Sequence, residues 1–325
     1  MNALYFGDSF DPWRNLAAEE IMFDEPDDAM TLYLWQNANT VVVGRNQNAW
    51  RECRAALLEQ EGGRLARRTT GGGAVYHDLG NLNFSFACKR EAYDLARQTS
   101  VILEAVRALG VDAMFSGRND LVTSDGAKFS GNAFRFTKHS ALQHGTLLVN
   151  VEMDRLARYL APSPEKLRSK GVESVRARVK NLSEYGPHIT VKSVRDAVAN
   201  AFFGEYGAYE VRAVEEFDAQ KLARLYERNA SWEWRMGATP QFDASLETRF
   251  AWGALEVQLS VENGRVARAA VYSDAMDEAF IRKLAPALAG ARLEGSALAE
   301  RIQKIGCENL EIAADITAWL SSKTF

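Results

Sequence analysis

The chain has 325 residues, 47% of them hydrophobic, and a formal net charge of -4. That supports a large core and predicts two domains, and it argues against a protein that holds nucleic acid through bulk positive charge. No run approaches the roughly 18 apolar residues of a membrane span, three scattered cysteines suggest neither a disulfide framework nor a zinc knuckle, and MNALYFGDSF lacks the regions of a secretory signal, so a cytoplasmic protein with no membrane partner is expected.

Asp11-Pro12 offers an N-cap and a first-turn proline, and Trp13, Leu16, Ala17 and Ile21 recur at helical spacing, which predicts a helix over 12–24. MTLYLWQN and TVVVGR read as strands, followed by a helix over 51–61 stopped by Gly62 and Gly63. RLARR leads through three glycines into AVYHD, and NLNFSFA alternates so that Leu82, Phe84 and Phe86 share one strand face. Leu95, Ile102, Val106 and Leu109 mark a helix closed by Gly110. Asp125-Gly126 suits a tight hairpin turn, and ALQHGTLLVN supplies another strand. Residues 161–188 hold proline, glycine and six basic residues without an apolar period and read as a long loop. Helices over 189–203 and 218–229 follow, SWEWRMGATP breaks the pattern, Asn263-Gly264 turns a second hairpin, and helical segments fill most of 277–320. This order is too irregular for a doubly wound parallel sheet. It predicts an α+β chain: a mixed-sheet domain over 1–248 and a small α+β domain over 249–325.

The stretch RRTTGGGAVYHD, residues 67–78, carries the densest chemistry. It lacks the order of a P-loop or of a dinucleotide motif, and it leads into a strand rather than a helix. Three glycines nevertheless let backbone N–H groups approach an anion, and Arg67 and Arg68 add permanent charge. An ordinary glycine turn with arginines on its wet face fits the same residues. Lys128, just past the Asp125-Gly126 turn, has its backbone fixed on a strand. Such an ammonium is useful where a carboxylate must meet a phosphate: one contact at about 4 Å and an effective dielectric near 20 is worth about 4 kcal/mol before desolvation. A solvated strand lysine is the alternative.

Taken in order, RRTTGGGAVYHDLGN, GRNDL, AKFSGNAFR, HGTLLVN, SVRARVKNL and ASWEW resemble the lipoate-protein ligase A family over nearly the whole chain. The resemblance implies the fold shared by lipoate ligases, biotin ligases and octanoyltransferases, with an accessory C-terminal domain. It implies a two-step reaction in which lipoate and ATP, with Mg²⁺, give lipoyl-AMP and pyrophosphate, and an acceptor lysine then takes the lipoyl group. The partners it implies are lipoic acid and the apo lipoyl domains of 2-oxoacid dehydrogenase E2 subunits and the glycine-cleavage H protein. Carried over residue by residue, Arg68, Gly73, Ala74, Val75, Tyr76 and Lys128 match the ATP-binding positions. Lys128, Trp35, Thr70, Gly72, His77 and Arg135 match positions around lipoate, and Asn119 and Asp120 lie in a matching motif, with Asp120 a candidate Mg²⁺ ligand. Lys170, Arg176, Arg178 and Lys180 fall in the stretch that lies over the adenylate in the family. Phe134 stands where many relatives carry tyrosine, and Thr69-Thr70 where serines are common. Strict alternation puts Lys128 and Arg135 on opposite strand faces unless a bulge, expected at Gly131, intervenes. An octanoyltransferase working through a covalent cysteine, and a lipoyl-domain-binding protein without catalysis, are the alternatives on this scaffold.

Overall fold

A computed structural model describes residues 1–117, 119–160, 179–236, 244–305 and 310–323. Most of the basic loop, including Lys170, Arg176 and Arg178, lies outside the described residues, as do Arg118 and Cys307. The chain forms two compact units. The first holds Met1–Val43, Ala49–Thr69 and Ala74–Arg235; the second holds the chain from Met236 onward together with two short excursions, Gly44–Asn48 and Thr70–Gly73.

In the first unit the elements are β1 (Asn2–Phe6), α1 (Pro12–Asp24), β2 (Thr31–Trp35), β3 (Thr40–Val43), α2 (Ala49–Glu52), α3 (Ala55–Gln60), β4 (Arg64–Arg67), β5 (Val75–His77), β6 (Asn81–Lys89), α4 (Leu95–Ala108), β7 (Ala113–Ser116), β8 (Asp120–Thr123), β9 (Lys128–Phe136), β10 (Ser140–Leu148), α5 (Met153–Tyr159), α6 (Val191–Tyr206), β11 (Tyr209–Arg212), α7 (Ala219–Ala230) and α8 (Trp232–Arg235). Eight strands form one sheet in the order β11-β1-β2-β6-β10-β9-β8-β7, parallel across its first three strands and antiparallel beyond; β4-β3-β5 form a small second sheet. This is the expected mixed α+β architecture. Asp11 caps α1 as the sequence suggests, accepting from Trp13 N at 2.9 Å, and the structure shows Asp94 capping α4.

The alternation of β6 divides two cores. Leu82, Phe84 and Phe86 pack with Val101, Ile102 and Val106 of α4 and with Val194, Val198 and Phe202 of α6. On the opposite face, α1 covers Tyr33, Trp35, Ala87 and Leu142, and α7 packs against α1. Burial of this kind contributes roughly 25 cal/mol per Å² of apolar surface and outweighs local propensity. The helix expected over 51–61 is instead α2 and α3. Cys53 forms an isolated bridge with Leu160, and Arg54 N donates to Tyr159 O at 2.8 Å, so long-range pairing diverts the backbone between them.

The second unit contains β12 (Ala244–Phe250), β13 (Gly253–Glu262), β14 (Arg265–Ser273), α9 (Glu278–Leu288), α10 (Gly295–Gln303) and α11 (Leu310–Ser321). Its three strands form an antiparallel sheet in chain order, and its own core joins Leu255, Val257, Phe280, Leu284, Leu298 and Ile316. Strand β12 runs through residue 248. The excursions belong here by direct bonding: Ser273 N donates to Asn46 O at 2.7 Å, Asn46 Nδ2 to Glu278 O at 3.1 Å, and Gly72 N to Ala275 O at 3.3 Å. A Cβ at Gly71 would lie 2.4 Å from Ala275 O, so only glycine fits that approach, whereas one at Gly73 would meet nothing within 4 Å. Among the described residues no helix is long and apolar enough to cross a membrane.

Candidate active site

In the first unit, the sheet face under α1 carries a buried polar row. Cross-strand register aligns Tyr33, Ser85, His144 and Ala133 on four successive strands. From α1, Glu19 reaches down to this row: its Oε1 accepts from Ser85 Oγ at 2.5 Å and lies 2.7 Å from His144 Nδ1. Trp35 Nε1 donates to Ser85 Oγ at 3.0 Å, and its ring stacks on Tyr33 and meets His77 edge-on. All of these side chains are buried. A second buried chain fixes the histidine of the glycine motif. Tyr33 OH donates to Asn15 Oδ1 at 3.0 Å, Asn15 Nδ2 to Asn37 Oδ1 at 3.0 Å, and Asn37 Nδ2 faces His77 Nδ1 at 3.1 Å. Because Asn37 presents its amide nitrogen, His77 accepts at Nδ1 and carries its proton on Nε2, which has no partner among the described residues. Burial, reinforced by the charge of Arg68, pushes the His77 pKa down to about 3, so the ring is neutral at physiological pH.

Arg68 is itself buried, at the end of β4, and its Nη1 donates to Val42 O at 3.2 Å. Burial lowers its pKa to about 10, against the pull of Glu19, and it stays charged at neutral pH. Val75, Tyr76 and His77 form β5; the Tyr76 ring is buried, with its hydroxyl on Asn39 Oδ1 at 3.1 Å. Thr70, Gly72 and Gly73 lie in the second unit's excursion, while Arg68 and Ala74 onward belong to the first unit.

Lys128 opens β9, and its Nζ lies 2.7 Å from Asp120 Oδ1, both side chains being partly exposed at 37%. Such a pair contributes at most about 1 kcal/mol, so a more strongly charged ligand competes with it readily. A bulge does interrupt β9, but at Phe129: Leu121 pairs with Ser130 and Val122 with Lys128. Beyond it, the ammonium of Lys128 lies 3.1 Å from where a Gly131 Cβ would stand, which puts Lys128 on the face of Gly131 and Arg135. The Arg135 guanidinium stacks 4.3 Å over Phe23 of α1, and its Nη1 is 3.9 Å from Glu20 Oε1. Asn119 holds the hairpin, exchanging bonds with Asn132 O at 2.9 Å and with Asn132 Nδ2 at 3.0 Å. Among the described residues no three His, Cys, Asp or Glu side chains converge as a metal site, and the one carboxylate of Asp120 already faces an ammonium; the residues present do not fit a resident Mg²⁺.

Residues 11–203 match the lipoyl protein ligase A/B catalytic domain, and residues 239–320 match the bacterial lipoate protein ligase C-terminus. The chain belongs to the lipoyl protein ligase family. Solved structures similar to it include P. falciparum LipL1 in complex with lipoate, 27% identical with a TM-score of 0.88 over 99% of this chain and 100% of that one. A bipartite lipoate protein ligase of Thermoplasma acidophilum, from an archaeal lipoylation system with an E2 lipoyl domain, is 28% identical with a TM-score of 0.64, covering 75% of this chain and 99% of that one. A lipoate-protein ligase A bound with ATP is 25% identical with a TM-score of 0.64, covering 73% of this chain and 98% of that one.

For this family member, motif reading names Trp35, Arg68, His77, Lys128 and Arg135 as candidates and passes over Glu19, Ser85, His144, Asn15 and Asn37 of the buried polar network. One signal was present. Asn81, Asn83 and Ser85 occupy the alternate positions of β6, where a solvent-facing strand face would be polar, yet all three are buried. A buried polar strand face under a helix that adds Asn15 and Glu19 to it points to a lined site.

Proposed function

We propose that the chain is an ATP-dependent lipoate-protein ligase of the cytoplasm, forming lipoyl-AMP and then lipoylating a lysine of acceptor lipoyl domains. The observation that carries this reading is the pairing of the family's catalytic and C-terminal regions in one chain that matches a lipoate-bound relative end to end. The ATP-bound relative supports ATP as co-substrate.

In the first step a lipoate carboxylate oxygen attacks the α-phosphorus of ATP, and the bond to pyrophosphate breaks. The Lys128 ammonium exchanges Asp120 for these anions and offsets their repulsion, and Arg68 adds fixed charge. Gly73 and the backbone of Ala74, Val75 and Tyr76 meet the nucleotide, and Thr70 and Gly72 lie beside lipoate. Trp35 walls the apolar tail, with His77 Nε2–H and Arg135 as polar contacts. In the second step the neutral ε-amine of the acceptor lysine attacks the acyl carbon, AMP leaves with the bonding pair, and the amine loses a proton. The acceptors are apo lipoyl domains of 2-oxoacid dehydrogenase E2 subunits and the glycine-cleavage H protein. We place the division between catalytic and accessory regions at residue 236.

An octanoyltransferase would need an activated thiolate. Burial pushes the Cys53 thiol up to about 12 and the Cys88 thiol up to about 11, which opposes that role for both described cysteines. The test is lipoate-dependent release of pyrophosphate from ATP by the parent and by Lys128→Ala. The parent should release it, and the variant, folded by circular dichroism, should be slower by about 10²–10³. No lipoate-dependent release by the parent would sink the ligase reading, and an unimpaired variant would sink the role of Lys128.

A further inference from the structure

The backbone of Lys128 is held on an edge that its own sheet leaves uncovered. Strand β9 begins at Lys128, but β10 pairs only with residues 132–136, and β8 covers the other side. Residues 179 and 180 take the remaining place: Lys128 bridges Val179 in parallel, and Lys180 N donates to Lys128 O at 3.0 Å. On the far side of this segment the buried Asn181 exchanges two bonds with the Val151 backbone, each 2.9 Å.

One carboxylate ties these pieces together. Asp125, in the turn that leads into β9, accepts from the Thr123 hydroxyl, from Tyr185 OH at 2.8 Å, from Lys180 Nζ at 3.2 Å and from Ala127 N at 3.3 Å. The Lys180 ammonium also lies 4.3 Å over the Tyr185 ring. Thr123 and Ala127 are what a local turn requires. Lys180 and Tyr185 are not: they come from 55 and 60 residues further along, and they hold the segment that bonds to Lys128. These donors, the Thr123 hydroxyl first and Tyr185 next, keep the Asp125 carboxyl well below the usual carboxylate range, so it is ionised at neutral pH.

We infer that Asp125 is a positioning residue for adenylate formation: acting with Tyr185 and Lys180, it fixes the backbone from which the Lys128 ammonium reaches the reacting anions. The inference rests on the role proposed above for Lys128. A lysine tip on a four-carbon stem is only as well placed as its Cα, and a misplacement near 1 Å costs about 10²-fold in rate.

The experiment is a double-mutant cycle on the full chain, read as single-turnover formation of lipoyl-AMP from lipoate and ATP. Asp125→Ala should lower the rate about 10- to 100-fold with little change in the KM for ATP or lipoate, and Tyr185→Phe should lower it severalfold. In a Lys128→Ala background neither change should cost anything further, because both act through the missing ammonium. Asp125→Asn, which keeps the turn and removes the charge facing Lys180, should behave as a weaker Asp125→Ala and serves if the alanine variant does not fold. Full activity in Asp125→Ala, or losses that multiply in the double variant as they would for a residue serving only the fold, overturns the inference. Parental activity in Lys128→Ala overturns the Lys128 role and the inference with it. A normal Lys128→Ala defect beside a multiplicative Asp125 defect overturns the inference alone.

Discussion

His77 lends itself to a test by acid. Its pKa falls from the ordinary 6.5 to about 3 because the ring is buried and faces Arg68. Above about pH 7 the ring is neutral in folded and unfolded chains alike and contributes no pH dependence. As pH falls through 6.5 the unfolded chain takes up a proton that the folded chain refuses, so stability declines from there toward pH 3. Each pH unit in that window is worth about 1.4 kcal/mol, so between pH 7.5 and pH 5 this one residue should remove about 2 kcal/mol. His77→Gln keeps an acceptor for Asn37 Nδ2 and has no proton to gain. Urea unfolding of parent and variant at both pH values, followed by circular dichroism, should show the parent losing about 2 kcal/mol more than the variant. Equal losses would refute the reasoning, as would an NMR titration in which the His77 ring protonates near pH 6.

Trp35→Val should relax selectivity toward bulkier carboxylic acids, since the indole borders Ser85 and His77; unchanged selectivity in competition assays would remove Trp35 from the pocket wall. Gly71→Ala should destabilise the second unit by about 1–3 kcal/mol, because the added methyl meets the Ala275 carbonyl, while Gly73→Ala should leave unfolding unchanged and weaken ATP binding measured by calorimetry. A chain ending at Met236 lacks the backbone partners of Asn46 and Gly72. It should transfer the lipoyl group from supplied lipoyl-AMP but make little adenylate itself, and full activation in the pyrophosphate assay would show that the later residues are dispensable.

Local chemistry made much of the fold legible. Asp11-Pro12 marks a helix start, the β6 alternation separates two cores, and Asp125-Gly126 and Asn263-Gly264 turn hairpins where expected. What escaped depends on partners distant in sequence. The break between α2 and α3 comes from pairing with Tyr159 and Leu160, and the bulge falls at Phe129 rather than Gly131 because register with β8 sets it. In the candidate site, permanent charge and repeated glycine stand out in a sequence, which is why Arg68 and Lys128 are named as candidates. Glu19 and His144 belong to no motif and stand 125 residues apart, and only the fold brings them to 2.7 Å.

The excursions at Gly44–Asn48 and Thr70–Gly73 have a consequence for how the protein is made. The backbone partner of Gly72 is Ala275, about 200 residues later, and at about 5–20 residues per second a ribosome needs roughly 10–40 s to supply it. Throughout that interval the glycine loop has left the tunnel without the carbonyl that receives its N–H. A nascent chain can therefore complete the eight-stranded sheet while its glycine loop is unfinished. Ribosome-bound chains of increasing length should thus acquire protease resistance in the sheet before they acquire it at residues 70–73.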